Sequence, residues 1–167
     1  MLAAVFSVLA FNAFSDSNAL VRIIDGDSIN LGKERHRLQG IDAPEHRQTC
    51  QRLNKTIWQC GREATSALKE RIGDTSVTCQ SSGRDRYGRF LSTCYSGDIN
   101  LNRWMVRHGW AVAYRKYSHQ FICDEEAAKR DQVGLWSGEF VMPWDWRRGV
   151  RFGDAMPVDM REIKLER

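Results

Sequence analysis

Three short stretches of this chain combine acids and arginines as phosphodiester hydrolysis would require: Asp25-Gly26-Asp27-Ser28, Arg37-Leu38-Gln39-Gly40-Ile41-Asp42-Ala43-Pro44-Glu45 and Asp85-Arg86-Tyr87-Gly88-Arg89. Two carboxylates can hold a hard divalent cation through oxygen, a third can activate water, and a pair of arginines can grip and neutralise a phosphate. Taken singly, each stretch has an ordinary reading. Asp-Gly is common hairpin chemistry, a proline stiffens many strand ends, and arginines on loops usually face water. Their co-occurrence carries the inference. Asp27 and Asp42 fall at the ends of neighbouring predicted strands, Glu45 follows Asp42 closely, and Arg37 precedes it in the same strand.

The elements that would position these groups are legible from pattern. Runs rich in β-branched and apolar residues at 20–24, 28–31 and 35–41, separated by Asp-Gly and Gly-Lys-Glu, predict three strands with tight turns. After a polar loop to Cys60, the residues Ala64, Ala67, Leu68 and Ile72 share one helical face, predicting a helix over 61–73 closed by Gly73. Residues 75–80 and 90–95 alternate in strand fashion around the Gly- and Arg-rich connection 81–89, a hairpin whose long turn is placed to carry function. Leu101, Trp104, Met105 and His108 share a helical face ended by Gly109, residues 110–114 read as a short strand, and a last helix over 120–133 stops at Gly134. Five strands and three helices predict the α+β class, a small β-barrel with helical supports. Trp104, Trp110 and Trp136 belong with its core.

A chain of 167 residues, 42% apolar, is long enough for one core. Its net charge of +4 suits an anionic partner and equally suits many soluble proteins. Residues 1–14 are apolar apart from Ser7 and Asn12 and hold no Lys or Arg. That run matches the hydrophobic region of a secretory signal and falls short of the roughly twenty residues of a membrane-spanning helix. Ser17-Asn18-Ala19 follows with residues suited to a signal peptidase, although a basic start is missing. The reading is a signal peptide over 1–19 and an exported, periplasmic or secreted protein without a stable membrane span, the alternative being an anchor through an uncleaved leader.

Export would place the five cysteines, at 50, 60, 79, 94 and 123, where disulfides form. None is spaced as CxxC, so a zinc site has little support. Cys50 and Cys60 bracket a polar segment beside Glu45, and Cys79 and Cys94 lie on strand-like runs either side of a turn, making both pairs candidates. The connectivity stays open, since Cys123 can replace any partner.

The order of the three acid-and-arginine stretches, and the spacing from Arg37 to Glu45, resemble the staphylococcal nuclease (thermonuclease) family. The resemblance runs from about Val21 to Trp136. It includes Gly40-Ile41-Asp42-Ala43-Pro44-Glu45, Asp85-Arg86-Tyr87-Gly88-Arg89, Asn100 with residues 101–106 and Gly109, Glu126-Ala127-Ala128-Lys129, and Gly134-Leu135-Trp136. It implies a five-stranded OB-fold β-barrel with three helices over 20–137; the extension over 138–167 reads as partly disordered, because 153–167 has mixed charge and little apolar periodicity. The resemblance also implies a calcium-dependent endonuclease that cleaves DNA and RNA with little sequence preference; the sequence holds no oligomer signal, and a monomer is expected. Asp27, Asp42 and the carbonyl of Ala43 match the Ca2+ ligands; family members often have threonine at the third position, a change that a carbonyl ligand survives. Glu45 matches the carboxylate that positions or deprotonates water, and Arg37 and Arg89 match the guanidiniums on the phosphate. Tyr87 and Tyr114 match nucleotide-pocket tyrosines, and Tyr117 is a looser match, with the barrel core as its other possible place.

Two rivals remain. A binding module that had lost catalysis would show substitutions at Asp27, Arg37, Asp42, Glu45 or Arg89, and none is present. A phosphoesterase for small nucleotides would need a groove capped by the loop between Cys50 and Cys60. Beyond Trp136, the cluster Pro143-Trp144-Asp145-Trp146-Arg147-Arg148 can either bind nucleic acid or dock on the barrel exterior with its arginines in solvent.

Overall fold

The structure, a computed structural model, describes residues 21–152; the predicted leader at 1–19 and the predicted disordered end, 153–167, lie outside the described residues. The strands run β1 (Val21–Asp25), β2 (Ser28–Leu31), β3 (Glu34–Leu38), β4 (Ile41–Asp42), β5 (Cys50–Arg52) and β6 (Ile57–Trp58). Helix α1 (Cys60–Ile72) precedes β7 (Val77–Arg84), β8 (Phe90–Ser96) and β9 (Ile99–Asn100). Then come α2 (Leu101–Arg107), β10 (Val112–Ala113), α3 (Ile122–Arg130), a 3₁₀ turn at Gly134–Ser137, β11 (Gly138–Glu139) and α4 (Pro143–Arg147).

The architecture is mixed α+β, with the main sheet curled into half a barrel. Its order is β1-β2-β3-β8-β7, with β9 pairing β8. The turn Gly26-Asp27 joins β1 to β2, and an antiparallel register sets Ser28 opposite Arg37 on β3. The curl is sustained by a parallel pairing of β3 with β8, His36 opposite Phe90 and Leu38 opposite Ser92. Local alternation cannot announce such a pairing between strands so far apart in sequence.

The element count differs from the predicted five strands and three helices. Among the described residues eleven strands and four α-helices are present, although only β1, β2, β3, β7 and β8 exceed three residues. The predicted strand 35–41 breaks at Gly40, where φ is +78° and the chain turns into β4. The predicted fifth strand, 110–114, shrinks to β10, which pairs with β4 through Val112 opposite Asp42. Bridges of two residues are too short to produce a periodic signal.

Two apolar clusters hold the molecule. Ile29, Leu38 and Ile41 from strands pack with Ala64 and Leu68 of α1, Leu101, Met105 and Val106 of α2, and Phe121. Asn102, fully buried, links α2 to the sheet: its Oδ1 accepts from Cys94 N at 3.0 Å and its Nδ2 donates to the carbonyls of Gln39 and Ser92 at 2.9 and 3.0 Å. The second cluster joins Cys50, Trp58, Cys60, Val112 and Leu135, with Trp110, Trp136, Phe140, Met142 and Trp144 packed against it. Trp104 and Trp110 also pack against the first cluster, as expected of core tryptophans.

The chain after Trp136 therefore packs on the domain. β11 pairs with β5, and Gln48, fully buried, donates Nε2 to the carbonyl of Val141 at 2.7 Å. Cystines join Cys50 to Cys60 and Cys79 to Cys94, and Cys123 is free and exposed.

Candidate active site

An open groove of about 940 Å³ gathers residues from both halves of the chain. Asp27, Arg37, Ala43, Glu45 and Arg89 line it, together with Tyr87, Tyr114 and Tyr117. Asp42 stands just behind the wall, with no exposed surface.

Local structure sets each acid. Asp27 follows the hairpin turn, and its Oδ2 accepts from the backbone N of Ala43 at 2.8 Å, tying the turn to the end of β4. Gly26 permits this approach, because a Cβ there would sit 2.8 Å from the Cβ of Ala43. Arg37 reaches inward from β3 and bridges the pair: Nη1 contacts Asp27, and Nη2 donates to Asp42 Oδ1 at 2.8 Å. Burial pulls the Arg37 pKa below its usual value, with Asp42 and Asp25 opposing the shift. Asp25, beside them, has its carboxyl pushed up by burial against the pull of Arg37.

Glu45 lies on the turn beyond Pro44, its side chain 39% exposed. Gln48 fixes that turn, since its backbone N donates to Glu45 O at 2.7 Å and its Oε1 accepts from Glu45 N at 3.2 Å. Gly61 of α1 presses on the same turn so closely that a Cβ would lie 1.8 Å from Glu45 O.

Arg89 enters from the turn that precedes β8. Asp85 aims it, accepting from Arg89 Nε at 2.8 Å on one oxygen and from Arg89 N at 3.0 Å on the other. Burial works against the charge on Asp85, but those hydrogen bonds outweigh it and hold its pKa below the ordinary value. Arg89 Nη1 also points to Ser28 Oγ at 3.4 Å.

The tyrosines sit on the rim rather than in the core. Tyr87 and Tyr117 are 59% and 63% exposed. Tyr114 is half-buried beneath Trp144, the rings stacked at 5.5 Å with an interplanar angle of 8°. Glu125, buried on α3, holds this end of β10 by accepting from Ala113 N at 2.9 Å.

The tail supplies what the sequence reading did not assign. Arg147, at the end of α4, donates Nη1 and Nη2 to Asp42 at 3.0 and 2.8 Å and Nη1 to Glu45 at 2.8 Å. Burial opposes its charge, yet hydrogen bonds to Asp42 and Glu45 dominate and raise its pKa. The aromatic-basic pattern of 143–148 marked the segment, but nothing local ties position 147 to an acid 105 residues away. Of the two arginines there, Arg148 stays 74% exposed and Arg147 turns into the site.

Asp27, Asp42 and the Ala43 carbonyl offer oxygen donors of the kind a hard cation such as calcium takes. In this structure their counter-charges are guanidiniums: Arg37 lies between Asp27 and Asp42, and Arg147 between Asp42 and Glu45. Among the described residues, the one trio of His, Cys or acidic groups with ligand atoms within 4.8 Å of one another is His36, Cys79 and Cys94, and its sulfurs are joined in a disulfide.

A family model described as "Staphylococcal nuclease homologue" matches residues 35–138. The chain is 36% identical over 121 residues to "Succinoglycan biosynthesis protein ExoI" of Rhizobium meliloti (strain 1021), covering 70% of this chain and 63% of that protein. It is 36% identical over 136 residues to an "Uncharacterized endonuclease" of Escherichia coli O157:H7, covering 77% and 82%. It is 34% identical over 168 residues to "Micrococcal nuclease" of Shigella flexneri, covering 89% and 91%.

Proposed function

The chain belongs to the staphylococcal nuclease family, and from that premise we propose that it is a calcium-dependent nuclease, a hydrolase that cleaves phosphodiester bonds within DNA and RNA with little sequence preference. One observation carries the reading: Asp27, Arg37, Glu45 and Arg89 share one groove, with Asp42 hydrogen-bonded directly behind Arg37. An OB-type barrel would be the scaffold.

In this reading Asp27, Asp42 and the carbonyl of Ala43 hold Ca2+. Bound there, calcium supplies a Lewis acid that polarises the phosphate and offsets charge gathering on its oxygens. Glu45 accepts a proton from the attacking water and orients it. Arg37 and Arg89 donate to the non-bridging oxygens as planar forks that stay charged at any working pH. Asp85 keeps the Arg89 fork aimed. Tyr87 and Tyr117 offer exposed rings for bases to stack on, and Tyr114 backs that wall, so recognition rests on backbone and stacking. The two cystines support an exported protein. A monomer suffices, since every group named lies on one chain.

The groove takes none of residues 50–60 among those that line it, so a site capped for small nucleotides finds no support. The test is digestion of denatured DNA with calcium, then with chelator, beside Glu45→Gln. Cleavage should require calcium and fall by about 10²- to 10⁴-fold in the variant. Undiminished cleavage by Glu45→Gln would refute the role of Glu45, and no cleavage in any lane would favour a binding module.

A further inference from the structure

We propose that Arg147 is a third phosphate-binding guanidinium of this site, held on Asp42 and Glu45 and passed to the substrate when a divalent cation claims Asp42. The inference rests on the nuclease reading above and extends it to a segment outside the matched family region, which ends at residue 138.

Arg147 is delivered by an anchored element. β11 is paired to β5, Val141 is held by buried Gln48, and Trp144 lies flat on Tyr114. Trp144 and Arg147, three residues apart on α4, share a face turned to the groove.

Its position is that of a placeholder cation. Asp42 has no exposed surface, and Arg147 engages both of its oxygens while remaining 38% exposed itself. A divalent cation that takes Asp42 meets two guanidiniums already there, and like charges in contact repel. Arg37 is 13% exposed and tied to Asp27 as well, so it is the less free to leave. Arg147 is the group with room to move, and the groove is where that room lies. Its contact with Glu45 at 2.8 Å already places the fork beside the carboxylate proposed to aim water at phosphorus. Released from Asp42, the guanidinium keeps a bidentate geometry that a phosphate matches.

Two measurements on the intact protein test this. The first is calcium affinity without substrate, by titration calorimetry, for wild type, Arg147→Met, Arg147→Gln and Arg147→Lys. The second is affinity for a cleavage-resistant phosphorothioate oligothymidylate at saturating calcium over a range of salt. Arg147→Met should bind calcium about tenfold more tightly, because a competing charge is gone. It should bind the oligonucleotide more weakly, with a log-log salt slope shallower by about 0.7, the equivalent of one lost phosphate contact. Arg147→Lys keeps the charge without the fork, so its calcium affinity and salt slope should stay near those of the wild type while its oligonucleotide affinity falls; Arg147→Gln removes the charge and should match Arg147→Met, which preserves the test should the methionine variant fail to fold. Unchanged calcium affinity in a folded Arg147→Met or Arg147→Gln overturns the proposal. So does tighter calcium binding with unchanged or stronger oligonucleotide binding, which would make Arg147 a plug and nothing more. An active wild type with a silent Glu45→Gln, alongside either result, shows that the role of Arg147 has failed and the nuclease reading has not.

Discussion

Replacing Arg37 by methionine tests the acid cluster most directly. The guanidinium stands between Asp27 and Asp42, whose side chains are 8% and 0% exposed. Removing one partner of a buried ion pair typically costs about 3 to 5 kcal/mol, because the charge left behind is neither solvated nor compensated. Here each carboxylate keeps another donor, Asp27 from Ala43 N and Asp42 from Arg147. The loss should therefore sit near the lower bound, about 3 kcal/mol. With a urea dependence of about 2 kcal/mol/M, the unfolding midpoint should fall by about 1.5 M. The assay is urea unfolding followed by tryptophan fluorescence, in chelator and then in saturating calcium. Calcium should raise the midpoint of the variant more than that of the wild type, because the cation replaces the missing charge. Turnover on denatured DNA should stay depressed by orders of magnitude, and Arg37→Lys, which keeps the charge, should lose far more turnover than stability. A midpoint in chelator equal to that of the wild type would refute the buried counter-ion argument. Near-normal turnover of either variant would refute contact between Arg37 and the phosphate.

Other perturbations reach the supports of the site. Gly61→Ala would place a Cβ 1.8 Å from Glu45 O; it should cost about 1 to 3 kcal/mol and lower kcat by displacing the Glu45 turn, and an unchanged kcat would show that the turn yields harmlessly. His36 is buried against Phe90, and burial lowers its pKa while Glu34 pulls the other way. Its folded pKa thus lies below the unfolded value, the unfolded chain binds the extra proton, and stability present above about pH 6.5 should decline as pH falls toward the folded pKa. His36→Gln should flatten that decline in urea midpoints between pH 8 and pH 5, and an equally steep decline in the variant would assign it to other groups. Replacing Cys79 and Cys94 together by serine opens a loop closed across a separation of 15 residues; the expected loss is about 3 kcal/mol, read from the urea midpoint, and a midpoint equal to that of the wild type would mean that the bridge constrains nothing.

The parts of the site legible in the sequence are those that local structure brings together. Asp27, Arg37, Asp42 and Glu45 fall within one hairpin and the strand and turn that follow, where alternation and turn chemistry place side chains without help from distant residues. Arg89 and Asp85 meet within a single turn for the same reason. The strand runs, the helix closed by Gly73 and the two cysteine pairings as candidates also rest on short-range pattern. Other features needed the closed fold. The parallel pairing of β3 with β8, the break at Gly40, the choice of Cys79 and Cys94 over Cys123, and Gln48 joining the Glu45 turn to Val141 all depend on elements that meet only after the core has formed. Arg147 is the sharpest case. Sequence marks an aromatic-basic segment, but whether its arginine faces water or Asp42 is settled by where Trp144 finds Tyr114 and by an ion pair whose partners lie 105 residues apart. Nearest-neighbour propensities are written along the chain, whereas an ion pair between remote positions exists only when the burial of apolar surface has already brought its two strangers into contact.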